Sequence, residues 1–338
     1  MMRRLTLKPG NWFLICSLCF VFTVAQAQDM PALADSVITE NLLKGYVQTL
    51  SDDKNDGRLT GTTGNQTSAQ WIGMVMRDLE LDTIAGPAVS GNFGRWRYKD
   101  EQLDIRGTNV LGQIPGISPD SIILFSAHYD HIGRKDGQPY VYMLTQLGKD
   151  AGKDQLFNGA NDNASGVAAM LALAHFYKLL GKPKYSIWFV AFSGEEFGLK
   201  GSTAMAASFF SGPFANRVVV QNINLEMLGR PTSSEPFITE DGHHQQLRHQ
   251  LNETLAGFGY GRKYFKADPY DGAKLFERSD NFPFAQMGVP ANTIMATPPN
   301  DEFYHHADDE WQTLNYRKMT AIVRAIALGC TGLVGFFQ

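Results

Sequence analysis

Apolar segments of strand length alternate with helical segments along this chain, and that alternation restricts its fold more than any other feature. SIILFSA (121–127), YSIWFVAF (185–192) and RVVVQNINL (217–225) have the length and composition of strands, and SGVAAMLALAHFYKLL (165–180) is a predicted helix. Strands that are apolar throughout are buried on both faces, which is typical of a parallel-rich sheet. The sequence therefore predicts an α/β fold with helices on both faces of the sheet.

The other elements predicted from periodicity extend the same pattern. They are helices near 35–50, at 69–81, at 202–210, at 242–257 and from about 316, a strand at 291–295, and a polar, glycine-rich loop at 51–68. In parallel-rich sheets, ligands bind beyond the carboxyl ends of the strands, so chemically active residues are expected there.

The amino terminus has the pattern of a secretory signal peptide. Three basic residues precede the apolar run WFLICSLCFVFTVA, and the motif AQA ends at Ala27. Residues 1–27 are therefore predicted to be a signal peptide and residues 28–338 a single domain of an exported protein, periplasmic or extracellular. An uncleaved membrane anchor is the alternative for this segment.

Composition and charge exclude several classes of protein. Hydrophobic residues make up 43% of the chain and charged residues 19%, as in ordinary globular proteins. The formal net charge of −4 gives no support for nucleic-acid binding. Two of the three cysteines lie within residues 1–27, so Cys330 cannot form an intramolecular disulfide in the mature chain. A cysteine-based zinc site and a cysteine nucleophile are both poorly supported.

Metal-ligand side chains directly follow three of the predicted strands. His128 follows the first strand, Glu195 and Glu196 follow the second, and Glu226 follows the third. Imidazole and carboxylate groups without sulfur suit zinc or a related divalent ion. The sequence thus predicts a metal site at the carboxyl edge of the sheet.

Asp162 stands between Asn161 and Asn163, immediately before the apolar helix at 165–180. An ionised carboxylate so close to a core is costly unless a cation meets it. Because two-metal sites hold their ions a few ångströms apart, one carboxylate can bridge both. Asp162 is therefore predicted to face a pair of metal ions.

Glu195 and Glu196 are neighbours and cannot both point the same way from an extended strand end. One can bind a metal while the other stays free as a general base toward metal-bound water. Asp130 is placed to accept the other ring N–H of His128 and so fix its tautomer.

Seven segments in order resemble the secreted dinuclear zinc aminopeptidases, to which bacterial leucyl aminopeptidases, glutamate carboxypeptidase and the glutaminyl cyclases are related. These segments are GRLTGTTGNQTSAQWI (57–72), HYDHIG (128–133), NGANDNASG (158–166), SGEEFGLKGS (193–202), NLEMLGR (224–230), RSDNFPFAQMGVPA (278–291) and FYHHADDEWQTLNY (303–316). The resemblance implies a three-layer sandwich with a mixed, mostly parallel central sheet flanked by helices. It also implies peptide substrates and no stable membrane insertion after signal cleavage.

The resemblance further implies a role for each candidate residue. The expected ligands are His128, Asp162 and Glu226 for one zinc, and Asp162, Glu196 and His305 for the other, with Glu195 as the general base, Tyr304 as a donor to the oxyanion and Asp130 behind His128. The implied activity is that of an exported zinc aminopeptidase, which hydrolyses the N-terminal peptide bond through a zinc-bound water. In such enzymes the peptide bond after Asp162 is often cis.

Some assignments have alternatives. The family usually has Asp where Glu226 stands, and the alternative for Glu226 is a buried acid paired elsewhere. His306 competes with His305 as a ligand, although the motif favours His305. His131 is predicted to lie at the rim of the site. Further residues with open or solvent-exposed assignments are Asp308 and Asp309 (helix cap or brace for His305), Asp280 and Asn281 (cleft lining), and His243, His244 and His249 (solvated helix face).

Other functions on the same fold are a carboxypeptidase or dipeptidase and a glutaminyl cyclase. A non-catalytic binding module is the alternative from another class, and the retained Glu195–Glu196 pair argues against it. The segment at 134–157 is long for its position and is either a loop that shapes specificity or a surface insertion.

Overall fold

The structure is a computed structural model that describes residues 30–84, 89–99, 104–135, 154–232, 235–241 and 245–336. The predicted signal peptide, most of the 134–157 segment, His243 and His244 lie outside these residues. Within the described ranges, no helix is both long enough and apolar enough to cross a membrane.

Helices occur throughout the described residues and alternate with strands in the middle of the chain. They are α1 (30–37), α2 (Glu40–Leu50), α3 (Thr63–Asp78), α4 (Ser165–Leu180), α5 (Lys200–Ser211), α6 (Gln246–Gly257), α7 (Phe282–Gln286), α8 (Tyr316–Gly329) and α9 (Thr331–Val334). The predicted helix at 165–180 and the predicted start of the last helix at 316 are confirmed.

The strands form one large sheet and one small one. They are β1 (Val89–Ser90), β2 (Phe93–Lys99), β3 (Asp104–Ile114), β4 (Ser118–His128), β5 (Gly133–Arg134), β6 (Leu156–Phe157), β7 (Tyr185–Phe192), β8 (Val218–Glu226), β9 (Phe237–Ile238), β10 (Lys266–Ala267) and β11 (Ala291–Met295). The large sheet has the order β1-β2-β3-β7-β4-β8-β11-β9-β10, and β5 pairs with β6.

The centre of the large sheet is parallel. Strands β7, β4, β8 and β11 run in one direction, with Phe125 of β4 opposite Phe189 of β7 and Ile223 of β8. On one side, β3 pairs antiparallel to β7 and β2 antiparallel to β3. The predicted mixed sheet with a parallel centre is therefore confirmed.

The alternation of side chains along β4 explains the three layers. Ile123 and Phe125 belong to the core on one face of the sheet, whereas Ile122 and Leu124 belong to the core on the other face. All four side chains are fully buried. Because successive residues of a strand point to opposite faces, a continuously apolar strand must be covered by helices on both sides.

The amino-terminal helices differ from the prediction in their bounds. The helix predicted near 35–50 is two helices, because Thr39 accepts a hydrogen bond from Leu42 N at 3.2 Å and starts α2. The loop predicted at 51–68 ends earlier than expected, because α3 begins at Thr63, directly after its capping residue Thr62. Gly64 permits that start, because a Cβ there would lie 1.8 Å from the carbonyl oxygen of Asn55.

Candidate metal centre

The predicted ligands converge at the carboxyl edge of the parallel strands. His128 is the last residue of β4 and Glu226 is the last residue of β8, and these two strands are neighbours. Glu195 and Glu196 follow β7, the neighbour of β4 on its other side. The fold therefore brings together residues that are nearly a hundred positions apart in sequence.

The loop that carries Asp162 is tied to the chain after β8 by the two asparagines beside it. Asn161 accepts the N–H of Gly229 through Oδ1 at 2.7 Å, and Asn163 accepts the N–H of Met227 through Oδ1 at 3.1 Å. The peptide bond between Asp162 and Asn163 is cis. The asparagine side chains satisfy backbone groups, which leaves the Asp162 carboxylate to face the cleft.

Asp162 places its two oxygens against two different histidines. Its Oδ1 lies 3.3 Å from His128 Nε2, and its Oδ2 lies 3.4 Å from His305 Nε2. His305 Nε2 also lies 3.3 Å from Glu196 Oε2. This arrangement, with one carboxylate between two imidazoles, is compatible with a carboxylate that bridges two metal ions.

His306 takes no part in this cluster. Its Nδ1 accepts the N–H of Asp308 at 3.0 Å and lies 3.5 Å from the same residue's Oδ2. The structure thus places His305, and not His306, against Asp162 and Glu196.

His131 is not a rim residue, and that prediction was wrong. Its side chain is fully buried, and its Nδ1 lies 2.8 Å from Glu196 Oε1 and 3.8 Å from Asp162 Oδ2. In the described part of the chain, these three residues are the one set whose ligand atoms all lie within 4.8 Å of one another. The sequence placed His131 beside Asp130 but gave no signal for its direction, because residues at the end of a strand leave the regular alternation of faces.

Asp130 supports His128 through a different atom from the one predicted. His128 Nδ1 lies 3.2 Å from the carbonyl oxygen of Asp130 but 3.8 Å from its Oδ1. The carboxylate instead accepts from Thr60 Oγ1 at 3.0 Å and from Glu195 N at 3.2 Å. Because a carbonyl only accepts, a neutral His128 carries its proton on Nδ1, and its Nε2 lone pair is then available to a metal ion.

The donor atoms fit a zinc ion. His128 Nε2 is buried and has no hydrogen-bond partner among the described residues. It faces a carboxylate oxygen of Asp162, and nitrogen with oxygen is a donor set that zinc accepts. Glu226 is 8% exposed, its Oε2 receives an N–H of Asn224 at a long 3.4 Å, and a hydrogen bond from Ser279 partly offsets the burial of the carboxylate.

The electrostatics of the cluster also call for a cation. Burial raises the pKa of Glu226 to about 7, opposed by His128. Burial, together with Glu196 and Glu226, raises the pKa of Glu195 well above its usual value. Burial lowers the pKa of His128, but the carboxylates of Glu195 and Asp162 outweigh it and hold that pKa well above its usual value. A divalent cation would offset this excess of negative charge.

The cluster opens into a cleft of about 380 Å³. The residues that line it include Asp162, Glu195, Glu196, Leu199, Glu226, Met227, Leu275, Arg278, Phe282, Met295, Tyr304 and His305. The Tyr304 hydroxyl accepts from Arg278 Nη2 at 3.1 Å, and burial raises the pKa of that hydroxyl. A protonated Tyr304 can therefore donate a hydrogen bond into the cleft.

Asp280 is buried behind this cleft, and both of its carboxylate oxygens lack a hydrogen-bond partner in the described ranges. Burial raises its pKa to about 6. Next to it, Asn281 accepts from Thr293 Oγ1 at 2.7 Å. The motif that contains them therefore adds a further acid near the candidate metal ligands.

Asp309 neither caps the last helix nor contacts His305. It is fully buried and accepts the backbone N–H groups of Asn161 and Asp162, and its Oδ1 lies 2.6 Å from Arg230 Nη1. Arg230 also pairs with Asp301. The sequence motif included Asp309 but did not indicate that it holds the Asp162 loop.

Arg58 is a second residue whose role the sequence did not reveal. It is fully buried and donates to the carbonyl oxygens of Tyr129 at 2.7 Å, Asn158 at 2.6 Å and Gly159 at 2.9 Å. Burial lowers its pKa to about 10, so the guanidinium stays charged at neutral pH. Arg58 thereby fixes the end of β4 and the loop before Asp162 to each other.

Solved structures that share this fold include an aminopeptidase and a glutaminyl cyclase. A zinc aminopeptidase of Bacillus subtilis (BSAP) has a TM-score of 0.64 and 16% identity over 89% of this chain and 96% of that one. Porphyromonas gingivalis glutaminyl cyclase has a TM-score of 0.66 and 18% identity over 88% of this chain and 99% of that one. At such identities the likeness concerns the fold alone.

Sequence comparison adds the family. The chain is 29% identical over 170 residues to aminopeptidase YwaD of Bacillus subtilis, a match that spans 48% of this chain but only 34% of YwaD. Peptidase family M28 matches residues 109–329, which include every candidate ligand described above. The chain therefore belongs to peptidase family M28.

Proposed function

We propose that this protein is a zinc-dependent exopeptidase, specifically an aminopeptidase that hydrolyses the N-terminal peptide bond of its substrates. The observation that carries the proposal is the placement of the Asp162 carboxylate between His128 and His305. Family membership and the names of the similar aminopeptidases support the same reaction class.

Two zinc ions are proposed, with Asp162 shared between them. His128 and Glu226 would complete one set of ligands, and Glu196 and His305 would complete the other. Bound zinc would polarise the scissile carbonyl and make a water more acidic. Glu226 is one methylene longer than the aspartate usual in the family, and its position along the cleft suits a ligand that reaches in from the end of β8.

Glu195 is proposed as the general base. It lines the cleft beside Glu196, and its backbone N–H is held by Asp130 Oδ1 at 3.2 Å. Its raised pKa suits a group that takes a proton from water and delivers it to the leaving amine. Tyr304 is proposed to donate a hydrogen bond to the oxygen of the carbonyl as negative charge develops there.

The location and domain assignment are proposed on sequence grounds. The pattern of residues 1–27 supports export, periplasmic or extracellular, and residues 28–338 are proposed as one catalytic domain.

The test combines metal analysis with a substrate panel. The purified chain would be assayed for bound zinc and for cleavage of aminoacyl-anilides, N-blocked peptides and peptides with an N-terminal glutamine. About two zinc ions per chain, with chelator-sensitive cleavage of unblocked substrates only, would support the proposal. Cleavage of N-blocked peptides would instead indicate a carboxypeptidase. Cyclisation of an N-terminal glutamine without hydrolysis would indicate a glutaminyl cyclase. If the chain catalysed none of these reactions, an enzymatic role on these substrates would be refuted.

A further inference from the structure

We propose that His131 is a positioning residue for Glu196. It donates its Nδ1–H to Glu196 Oε1 and so turns Oε2 toward the metal position that Glu196 shares with His305. The inference rests on the proposed function in one respect, namely that these residues hold zinc.

The distances separate a ligand from a positioning group. Two ligands on one tetrahedral zinc, with bonds of about 2.0–2.1 Å, lie about 3.3 Å apart. His305 Nε2 lies 3.3 Å from Glu196 Oε2 and 3.4 Å from Asp162 Oδ2, which matches that spacing. His131 Nδ1 lies only 2.8 Å from Glu196 Oε1, which is the length of a hydrogen bond to a carboxylate. His131 therefore contacts the carboxylate oxygen that does not face His305.

The surroundings of His131 hold its ring in this orientation. A Cβ on Gly159 would lie 2.5 Å from Cγ of His131, so only a glycine leaves room for the ring there. Gly159 has a φ of 54° and its carbonyl is held by Arg58 Nη2 at 2.9 Å. On another side the His305 ring meets His131 edge-on, with centroids 5.5 Å apart.

This contact has a chemical consequence for the carboxylate. With the proton on Nδ1, His131 satisfies one oxygen of Glu196 and leaves the other with its lone pairs toward the metal position. Hydrogen bonds of this kind orient a ligand, and their loss costs roughly 10- to 100-fold in metal affinity. His131 is thus expected to set how tightly one of the two zinc positions is filled.

A pair of near-isosteric variants tests the hydrogen bond. The amide of His131→Asn keeps an N–H donor close to the position of Nδ1, whereas His131→Leu has similar size and no donor. Zinc affinity would be measured by competition with a chromophoric chelator, without reference to peptidase activity. We expect His131→Leu to weaken one zinc position roughly 10- to 100-fold, and His131→Asn to remain within about threefold of the unchanged chain. His306→Leu is the matched control and should alter neither position.

Two results would overturn the proposal. Equal losses in the Asn and Leu variants would make His131 a direct ligand, and no loss in either would leave it without influence on the metal. X-ray absorption of the zinc-loaded chain without substitutions shows whether His131 binds zinc directly. This measurement uses no variant, so it remains valid if a variant fails to fold. It should count about one imidazole per zinc on average, and about one and a half would mean that His131 binds zinc. If zinc affinity depends on His131 but the chain cleaves no peptide, only the aminopeptidase proposal is refuted and the role of His131 stands.

Discussion

Asp309 accepts the backbone N–H of Asp162 through its Oδ2 atom at 3.1 Å. The same carboxylate accepts the N–H of Asn161 and pairs with Arg230, so three partners converge on one buried acid. The Asp162 carboxylate, which faces the proposed metal position, is therefore held through its own backbone, and the strength of that support can be measured.

Asp309→Asn should destabilise the metal-free protein by about 2 kcal/mol, because an amide offers one acceptor oxygen where the carboxylate offers two. Urea unfolding in the presence of a chelator would measure the change. Asp308→Asn is the control, since the Asp308 side chain is 60% exposed. Its effect should stay within about 0.5 kcal/mol. Equal effects of the two substitutions would contradict the role given to Asp309.

Glu195→Gln should lower kcat by roughly 10²- to 10⁴-fold while the zinc content stays unchanged, because the amide cannot accept the proton. Steady-state hydrolysis of an aminoacyl-anilide and metal analysis of the same sample would show both effects. Glu253→Gln, at an exposed position of α6, controls for the loss of a charge. Activity of Glu195→Gln within tenfold of the unchanged chain would exclude Glu195 as the base.

Asp280→Asn should stabilise the metal-free protein at pH 8 but not at pH 4. Burial raises the pKa of Asp280 from 3.8 to about 6, so the folded chain binds this proton more tightly than the unfolded chain. Stability is therefore lost as pH rises through that interval, up to about 3 kcal/mol, and the amide removes this loss. Urea unfolding at the two pH values would measure it.

Asp120→Asn, at an exposed position of β4, should give no such difference between the two pH values. A gain for Asp280→Asn that was equal at pH 4 and pH 8 would contradict the titration assigned to Asp280.

Substrates with a leucine at the N-terminus should have a kcat/KM at least about tenfold above those with alanine. Met227, Leu275 and Met295 form one buried apolar cluster that lines the cleft, and Phe282 adds to it. Leucyl- and alanyl-anilides would be compared in one preparation, so the ratio does not depend on the active fraction. Leu275→Ala should reduce the ratio of kcat/KM for the leucyl-anilide to that for the alanyl-anilide. A ratio near one in the unchanged chain would show that this apolar cluster does not contact the N-terminal side chain of the substrate.

The parts of the fold that depend on burial could be predicted from the sequence. The central parts of β4 and β7 are mainly apolar, β8 begins with three valines, and helix α4 is apolar over most of its surface, so their places in the core follow from composition. The residues after these strands could be predicted as a site because parallel strands share one carboxyl edge.

Contacts that depend on where the chain turns could not be predicted in this way. His131 lies three residues after the end of β4, outside any strand or helix, and neither periodicity nor propensity fixes which way its ring points. Asp309 and Arg58 are charged residues in polar stretches, where solvent exposure is the ordinary expectation. Their burial follows from partners more than seventy positions away, such as Arg230 for Asp309 and Tyr129 for Arg58.

Arg58 lies before residue 109, where the match to the family begins. Its guanidinium nevertheless donates to the carbonyl oxygens of Tyr129 and Asn158, which precede and follow His131 in the sequence. A chain trimmed to the matched region would lose this arginine and leave those carbonyls without their donor. The smallest piece of this protein that keeps these contacts is therefore longer than the region that sequence similarity outlines, because it must include Arg58.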